Sequence, residues 1–582
     1  MRTKTTQTRA LMLSAASGLA MAWPALGAPP ASLDLVPGDT PLVISVRDVG
    51  ALIDKLDAAA GAIGLEGQAR MAPQMMNMMV SMPGIDRNGS MTVLVYPPEN
   101  GQGDPDVLVV APVSDYNEFA SVMGGDASAA ITTLNMQGNE VRARNLNGGY
   151  ALLGDNADLV GAYNAENGRL AAHAQRLGTN GARIADGADI TIIADIPILS
   201  PMLREGMDAG REQAAGQAEM LGGAGNNLLS LSERAQEAVL RDARVGVMGL
   251  SVTDVGLALD FGLQFKDGSE SATYFTQQGT SEQLISRLPA VDYYAAWAID
   301  TSAPKLRELG ESVKAAAGEQ GADAKQNVGM AHLIDRSTGL SGVVGANPGL
   351  MMTGIMANTV IYARTDDAGG LIDEFKQTLT AADGSTVGGV SYNTEFDQGA
   401  KTIAGVPVSA YAINMDVQLP DSAGAGGFGP DPQMITQAMF GAAGKGPRGF
   451  VAAADGGMVH TFSRSEAFMT KAIESAKGGT GLTSNAMLER VLPLMPEGRT
   501  FEGYLALDQV GKTVGPFLLM MGVADQVPSF DPMPPVALGV TTDSGGVRSR
   551  LIVPNEVIKT IYTLAPLAQQ MGGMGMGGVT GE

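Results

Sequence analysis

The sequence predicts an α+β protein of two duplicated lobes, each a mixed or mainly antiparallel sheet with helices packed on one face. Three observations carry that expectation. A short β-rich run, then Asp or Ser, then an amphipathic helical stretch recurs along the chain. The recurring units fall into two series of four, in the same order. Hairpin patterns lie beside these units, which favours antiparallel pairing over a purely parallel sheet.

Each unit has a local physical reason. A strand delivers the chain to a side-chain oxygen, which accepts a hydrogen bond from an orphan amide of the first helical turn. In the first series, Leu42 to Val46 leads to Asp48, with Leu52, Ile53 and Leu56 at helical spacing. Val107 to Val113 leads to Asp115, Tyr150 to Leu153 to Asp155, and Ile190 to Ala194 to Asp195. In the second series, Tyr293 to Ile299 leads to Asp300 and Val360 to Arg364 to Asp366. Met458 to Phe462 then leads to Ser463, and Tyr504 to Leu507 to Asp508. Asp115-x-x-Glu118 and Ser463-x-x-Glu466 have the spacing of a capping box. The distance from Asp48 to Asp115 is 67 positions, and from Asp300 to Asp366 it is 66. The series open alike, at Leu35-Val36-Pro37-Gly38-Asp39 and Leu288-Pro289-Ala290-Val291-Asp292. They end alike, on the hairpins Val245 to Val252 with Gly256 to Phe265 and Val536 to Thr541 with Val547 to Val553.

Further hairpins are expected from Met91 to Tyr96 with Val107 to Val113, and from Glu140 to Leu146 with Tyr150 to Leu153. Leu203 to Arg241, rich in Ala, Gln and Glu, reads as a helical insertion interrupted at Gly222-Gly223-Ala224-Gly225. The second lobe carries a Gly/Pro-rich insertion at 419–448, expected to be a mobile loop around a short Met434 to Phe440 helix.

The chain is 582 residues long, more than one hydrophobic core serves, so several domains are expected. The expected organisation is a signal peptide at 1–28, a first lobe at 33–283, a second at 284–567, and a disordered Met/Gly tail at 568–582. Arg2, Lys4 and Arg9 form a positive n-region before the uncharged run Ala10 to Ala22. Trp23-Pro24 then breaks the helix, and Ala25-Leu26-Gly27-Ala28 supplies small residues for cleavage. The apolar run is shorter than the roughly 20 residues of a spanning helix, which favours a cleaved signal over an anchor. No later stretch reads as a span. Export to the periplasm or the exterior follows, and cleavage would take the formal charge from -23 to -26.

Composition removes several chemistries. The 61 Asp+Glu against 38 Lys+Arg repel a phosphate backbone, so nucleic acid is not an expected partner. The absence of cysteine excludes disulfides, thiolate metal sites and cysteine nucleophiles.

Several motifs invite a functional reading. Ala506-x4-Gly511-Lys512-Thr513 has the relaxed spacing of a phosphate loop, but Ala506 stands where the leading glycine belongs and Asp508 would repel an anion. Ser302-Ala303-Pro304-Lys305 has the Ser-x-x-Lys spacing of serine acyl-enzymes, without a Lys-Thr-Gly on a later strand. Met71, Met75, Met76, Met78, Met79 and Met82 crowd twelve positions, as a flexible contact surface or as soft ligands for Cu(I). His173, His332 and His460 lie far apart without the i+4 spacing of a zinc pair. No Asp-x-Asp-x-Asp-Gly loop or Gly-x-Ser-x-Gly elbow occurs, and no pair among the acids stands out as catalytic.

The signal peptide, the Leu288-Pro289-x-x-Asp292 entry and the strand–Asp–helix units together resemble large secreted proteins of unknown function from planctomycete-type bacteria. That resemblance implies an exported envelope protein and assigns no residue a role. The expected function is an exported, non-catalytic binding or envelope-associated protein whose partner is an unknown protein or envelope component. A secreted hydrolase using carboxylates or a metal on loops is the alternative, and a methionine-based copper carrier the third. No catalytic, cofactor-binding or metal residue is assigned, and no cofactor is expected.

Overall fold

The computed structural model describes residues 29–564 apart from 65–73, 75, 79, 99–102, 137, 166–169, 221–222, 304–332, 334–335, 348, 388–389, 418–438, 442–445, 479–480 and 521–528. The expected signal peptide and C-terminal tail, and most of the 419–448 insertion, lie outside the described residues. The chain packs as two compact units. One runs to Thr276 and takes in Thr542–Lys559, and the other comprises Gln277–Thr541 and the chain from Thr560 on. Residues 542–559, which the sequence places in the second lobe, pack with the first unit.

In the first unit the strands are β1 (Leu42–Val46), β2 (Met91–Tyr96), β3 (Asp106–Pro112), β4 (Thr132–Met136) and β5 (Asn139–Asn147). They continue with β6 (Tyr150–Gly154), β7 (Ile190–Asp195), β8 (Ala243–Val252), β9 (Gly256–Phe265) and the returning β20 (Gly546–Pro554). Their order across the sheet is β4-β5-β6-β3-β2-β1-β7-β8-β9-β20, and every neighbouring pair is antiparallel. On one face, Val43, Leu94, Val110, Leu152, Ile193 and Val247 form a core with Leu177, Ile184 and Ala185 of the helix Leu170–Gly187, which is broken by a kink at Gly178. On the other face, Leu52 and Ile53 of the helix Val49–Ile63 pack on Val46 and Ile190. On that face also, Phe119 of the helix Tyr116–Val122 packs on Ala111 and Leu153. Helices therefore cover both faces, which corrects the one-face expectation. The reason is visible in the strands. Val93-Leu94-Val95 and Ile192-Ile193 put apolar side chains on successive positions, and Thr92 and Thr191 are buried beside them, as in sheets buried on both sides.

In the second unit the strands are β10 (Tyr293–Asp300), β11 (Gly339–Gly345), β12 (Thr359–Arg364), β13 (Thr386–Val387) and β14 (Val390–Ile403). They continue with β15 (Val406–Val417), β16 (Arg448–Ala454), β17 (Gly457–Thr461), β18 (Arg499–Leu505) and β19 (Val536–Asp543). Their order is β13-β14-β15-β16-β17-β12-β11-β10-β18-β19, again with antiparallel neighbours. The helix Ala368–Ala382 sets Leu371 on Ile361 and Ala363, and Phe375 and Leu379 on Tyr411 and Val451. The helix Ser281–Ile285 lies on the opposite face, where the Leu284 carbonyl accepts from Ser341 Oγ at 3.0 Å.

Caps mark several helix starts as expected. Asp48 accepts from Ala51 N at 2.8 Å, Asp115 from the amides of Asn117 and Glu118, and Asp195 from Ile198 N at 3.1 Å. Three caps move along the chain: Asn156, Asp367 and Ser465 do the work expected of Asp155, Asp366 and Ser463. A cap sits at the last residue with non-helical backbone, which spacing alone locates only to within a residue or two. Asp508 is not a cap. The helix Leu507–Met520 already contains it, and it pairs with Lys512 at 2.8 Å. Asp300 accepts from the amides of Thr280 and Ser302, and the helix expected after it lies outside the described residues. Among the described residues no helix is long and apolar enough to cross a membrane.

Candidate functional site

The second unit contains a cavity of about 270 Å³. Its walls come from chain segments far apart in sequence: the short helix Leu350–Thr353, the turn Ile355–Asn358 before β12, Phe440, the entry to β16 and the exit from β17. Two glycines allow these segments to cross. Gly354 and Gly441 have φ of 78° and 82°, and a Cβ on either would collide with the other segment's backbone, at Met439 O and Met352 O respectively. Asn347 fixes the same wall, its Nδ2 donating to Thr353 Oγ1 at 2.6 Å and to the Gly354 carbonyl at 3.0 Å. The Asn347 backbone is in turn held by Tyr294, whose hydroxyl accepts from Asn347 N at 2.9 Å.

The lining is apolar with a cationic edge. Met352, Met356, Phe440 and Phe462 supply the apolar surface, and Arg448 and Arg464 the charge. Phe462 is fixed from behind by the His460 ring, stacked at 4.8 Å and 21°. His460 is buried against Phe375 and Tyr411 as well, and burial pushes its pKa down to about 3, so it is uncharged at neutral pH. Arg464 donates to the Tyr411 carbonyl at 3.2 Å and lies 4.0 Å from Glu395. Arg448 is exposed, and among the described residues its guanidinium has no ion-pair partner.

The residues singled out in the sequence do not converge here. Lys512 of the phosphate-loop-like stretch is neutralised by Asp508, and a Cβ on Gly511 would strike the Phe530 ring. That segment is packed as a helix start. Ser302 caps back onto Asp300, while Lys305 lies outside the described residues. Met76 packs against the core beneath the helix Val49–Ile63, and Met78 is exposed; Met71, Met75 and Met79 lie outside the described residues. His173 is buried with Nε2 on the Val36 carbonyl at 3.0 Å, its pKa lowered chiefly by burial. His332 lies outside the described residues. Among the described residues the Asp260 and Glu502 carboxylates are fully buried. Asp260 is bound by Arg548 and Arg550, and Glu502 by Arg499 at 3.0 Å and the Tyr504 hydroxyl at 2.5 Å. Burial raises the Glu502 pKa against the opposing pull of Arg499. Among the described residues no group of three or more His, Asp and Glu side chains is placed to hold a metal.

No family model, curated protein or solved structure matches the chain. The site therefore stands on its own geometry. Sequence reading missed it because its residues span more than a hundred positions. One signal was present: Met351, Met352 and Met356 form a second methionine cluster, which contains Gly354 of the wall.

Proposed function

We propose that the protein is an exported, non-catalytic binding protein of the cell envelope, built by duplication of an α+β lobe. The observation that carries the binding reading is the second-unit cavity, an apolar pocket edged by two arginines and held open by glycine crossings. Preformed apolar pockets with a few convergent polar groups are the usual form of a binding site. The duplication is supported by strand order. The run β6-β3-β2-β1-β7-β8 in one unit has the same succession as β17-β12-β11-β10-β18-β19 in the other. The capped helices also follow corresponding strands: Asp115 and Asp367 come after β3 and β12, and Asn156 and Ser465 after β6 and β17. Export rests on the N-terminal sequence alone.

The test is a pull-down with the purified mature protein from an envelope extract, run beside a panel of hydrolase substrates. Specific retention of an envelope component with no turnover supports the proposal. Turnover abolished by substituting a single carboxylate would replace it with the hydrolase reading.

A further inference from the structure

We infer that the second-unit cavity takes a small amphipathic organic anion, a monocarboxylate with an apolar body of about eight carbons, bound through Arg448. The inference rests on the binding reading and names the ligand class of the same site.

Charge is the first argument. The chain carries a formal charge of -23, yet two arginines converge on one apolar cavity. Glu395 stands 4.0 Å from Arg464 and is exposed, so it compensates that charge weakly. Arg448 has no such partner among the described residues. A guanidinium presents its donors in a planar fork that matches a carboxylate at two points. The same charge disfavours a metal cation.

Size and shape narrow the class. At about 270 Å³ the cavity lies just below the roughly 300–1,000 Å³ of sites for drug-sized ligands, which suits a small ligand of about ten non-hydrogen atoms. Met352 and Met356 are unbranched and conform to an irregular alkyl or aryl body, while Phe462, stacked on His460, offers a fixed surface. The Gly354 and Gly441 crossing and the Asn347 hydrogen bonds hold the wall before any ligand arrives, which lowers the ordering cost of binding.

Octanoate and octan-1-ol are the probes, titrated calorimetrically into the purified full-length mature protein. Octanoate should bind with one-to-one stoichiometry, and octan-1-ol about tenfold or more weaker, since a hydrogen-bonded charge pair is lost. Arg448→Glu should weaken octanoate by a similar factor at an unchanged melting temperature, because the side chain is exposed. Ala357→Phe, which puts a ring into the cavity, should abolish uptake of both probes. Equal affinity for acid and alcohol, insensitivity to Arg448→Glu, or no saturable binding up to about 1 mM would overturn the inference. If octanoate fails while the pull-down retains a specific component, the ligand class is wrong and the binding reading survives. If octanoate is bound and chemically consumed, the non-catalytic reading fails.

Discussion

Asp260 and Arg550 stand 290 positions apart in the chain and meet directly across the β9–β20 ladder. Their contact is a two-point ion pair, Nε to Oδ1 at 3.0 Å and Nη2 to Oδ2 at 2.7 Å. Arg548 adds Nε to Oδ1 at 2.9 Å, and the Asp260 carboxylate is fully buried beneath the helix Leu170–Gly187. This triad ties the returning strand into the first unit.

Asp260→Ala should destabilise the first unit by about 3–5 kcal/mol, because two arginines lose the anion that compensates their burial. Denaturant unfolding measures this. A triple replacement of Asp260, Arg548 and Arg550 by apolar residues should restore much of the loss. A cost for Asp260→Ala under about 1 kcal/mol would show that the triad is solvated and carries little.

The capping assignment separates two adjacent acids. Both are exposed, but it is Asp367 that caps the helix Ala368–Ala382, accepting from Gly370 N at 2.9 Å. Asp367→Ala should cost about 1 kcal/mol, and Asp366→Ala should stay within about 0.5 kcal/mol. Asp48→Ala should match Asp367→Ala. Thermal melts of the variants decide it, and a reversed order of the two acids would mean that the cap was wrongly placed.

His460 makes the second unit acid-sensitive. Its pKa is depressed by burial from 6.5 to about 3, so the unfolded chain takes up a proton that the folded chain refuses. The stability it contributes is present above pH 6.5 and is lost as pH falls from there toward 3. His460→Phe keeps the ring contacts and removes the titration. Between pH 7.5 and 5 the wild type should lose about 2 kcal/mol relative to this variant. Parallel stability–pH curves for the two proteins would contradict an uncharged His460.

Asp189 acts in the opposite sense in the first unit. Burial raises its pKa to about 6 despite Lys55 at 2.9 Å. For a carboxyl group raised in this way, stability is fully present below the unfolded value near 3.8 and is lost as pH rises through about 6. Relative to Asp189→Asn, the wild type should therefore gain about 2–3 kcal/mol on going from pH 7.5 to 4. Chemical denaturation at several pH values reads this directly, and a relative loss on acidification would mean that the Lys55 pair outweighs burial.

The strands and the caps Asp48, Asp115 and Asp195 were legible in the sequence because both are local, whereas Asn156, Asp367 and Ser465 lay one or two positions from the residues expected and Asp508 is no cap. Val43, Ile44 and Val46 favour extended backbone, and Asp48 three positions before Ala51 can reach its amide whatever else the chain does. The hairpins Met91–Tyr96 with Asp106–Pro112 and Ala243–Val252 with Gly256–Phe265 were legible for the same reason. Tertiary structure alone decided which strand neighbours which. The pairing of β9 with β20 brings Asp260 to Arg548 and Arg550 across about half of the chain, and nothing in the local spacing of those residues encodes it. It also decided that helices cover both faces, since a continuous apolar run states that a strand is buried but not what buries it. The cavity lay furthest from reach. Met352, Phe440, Arg448 and Phe462 acquire a common surface only where Gly354 and Gly441 let two backbones cross, and such a crossing is a property of packing rather than of pattern.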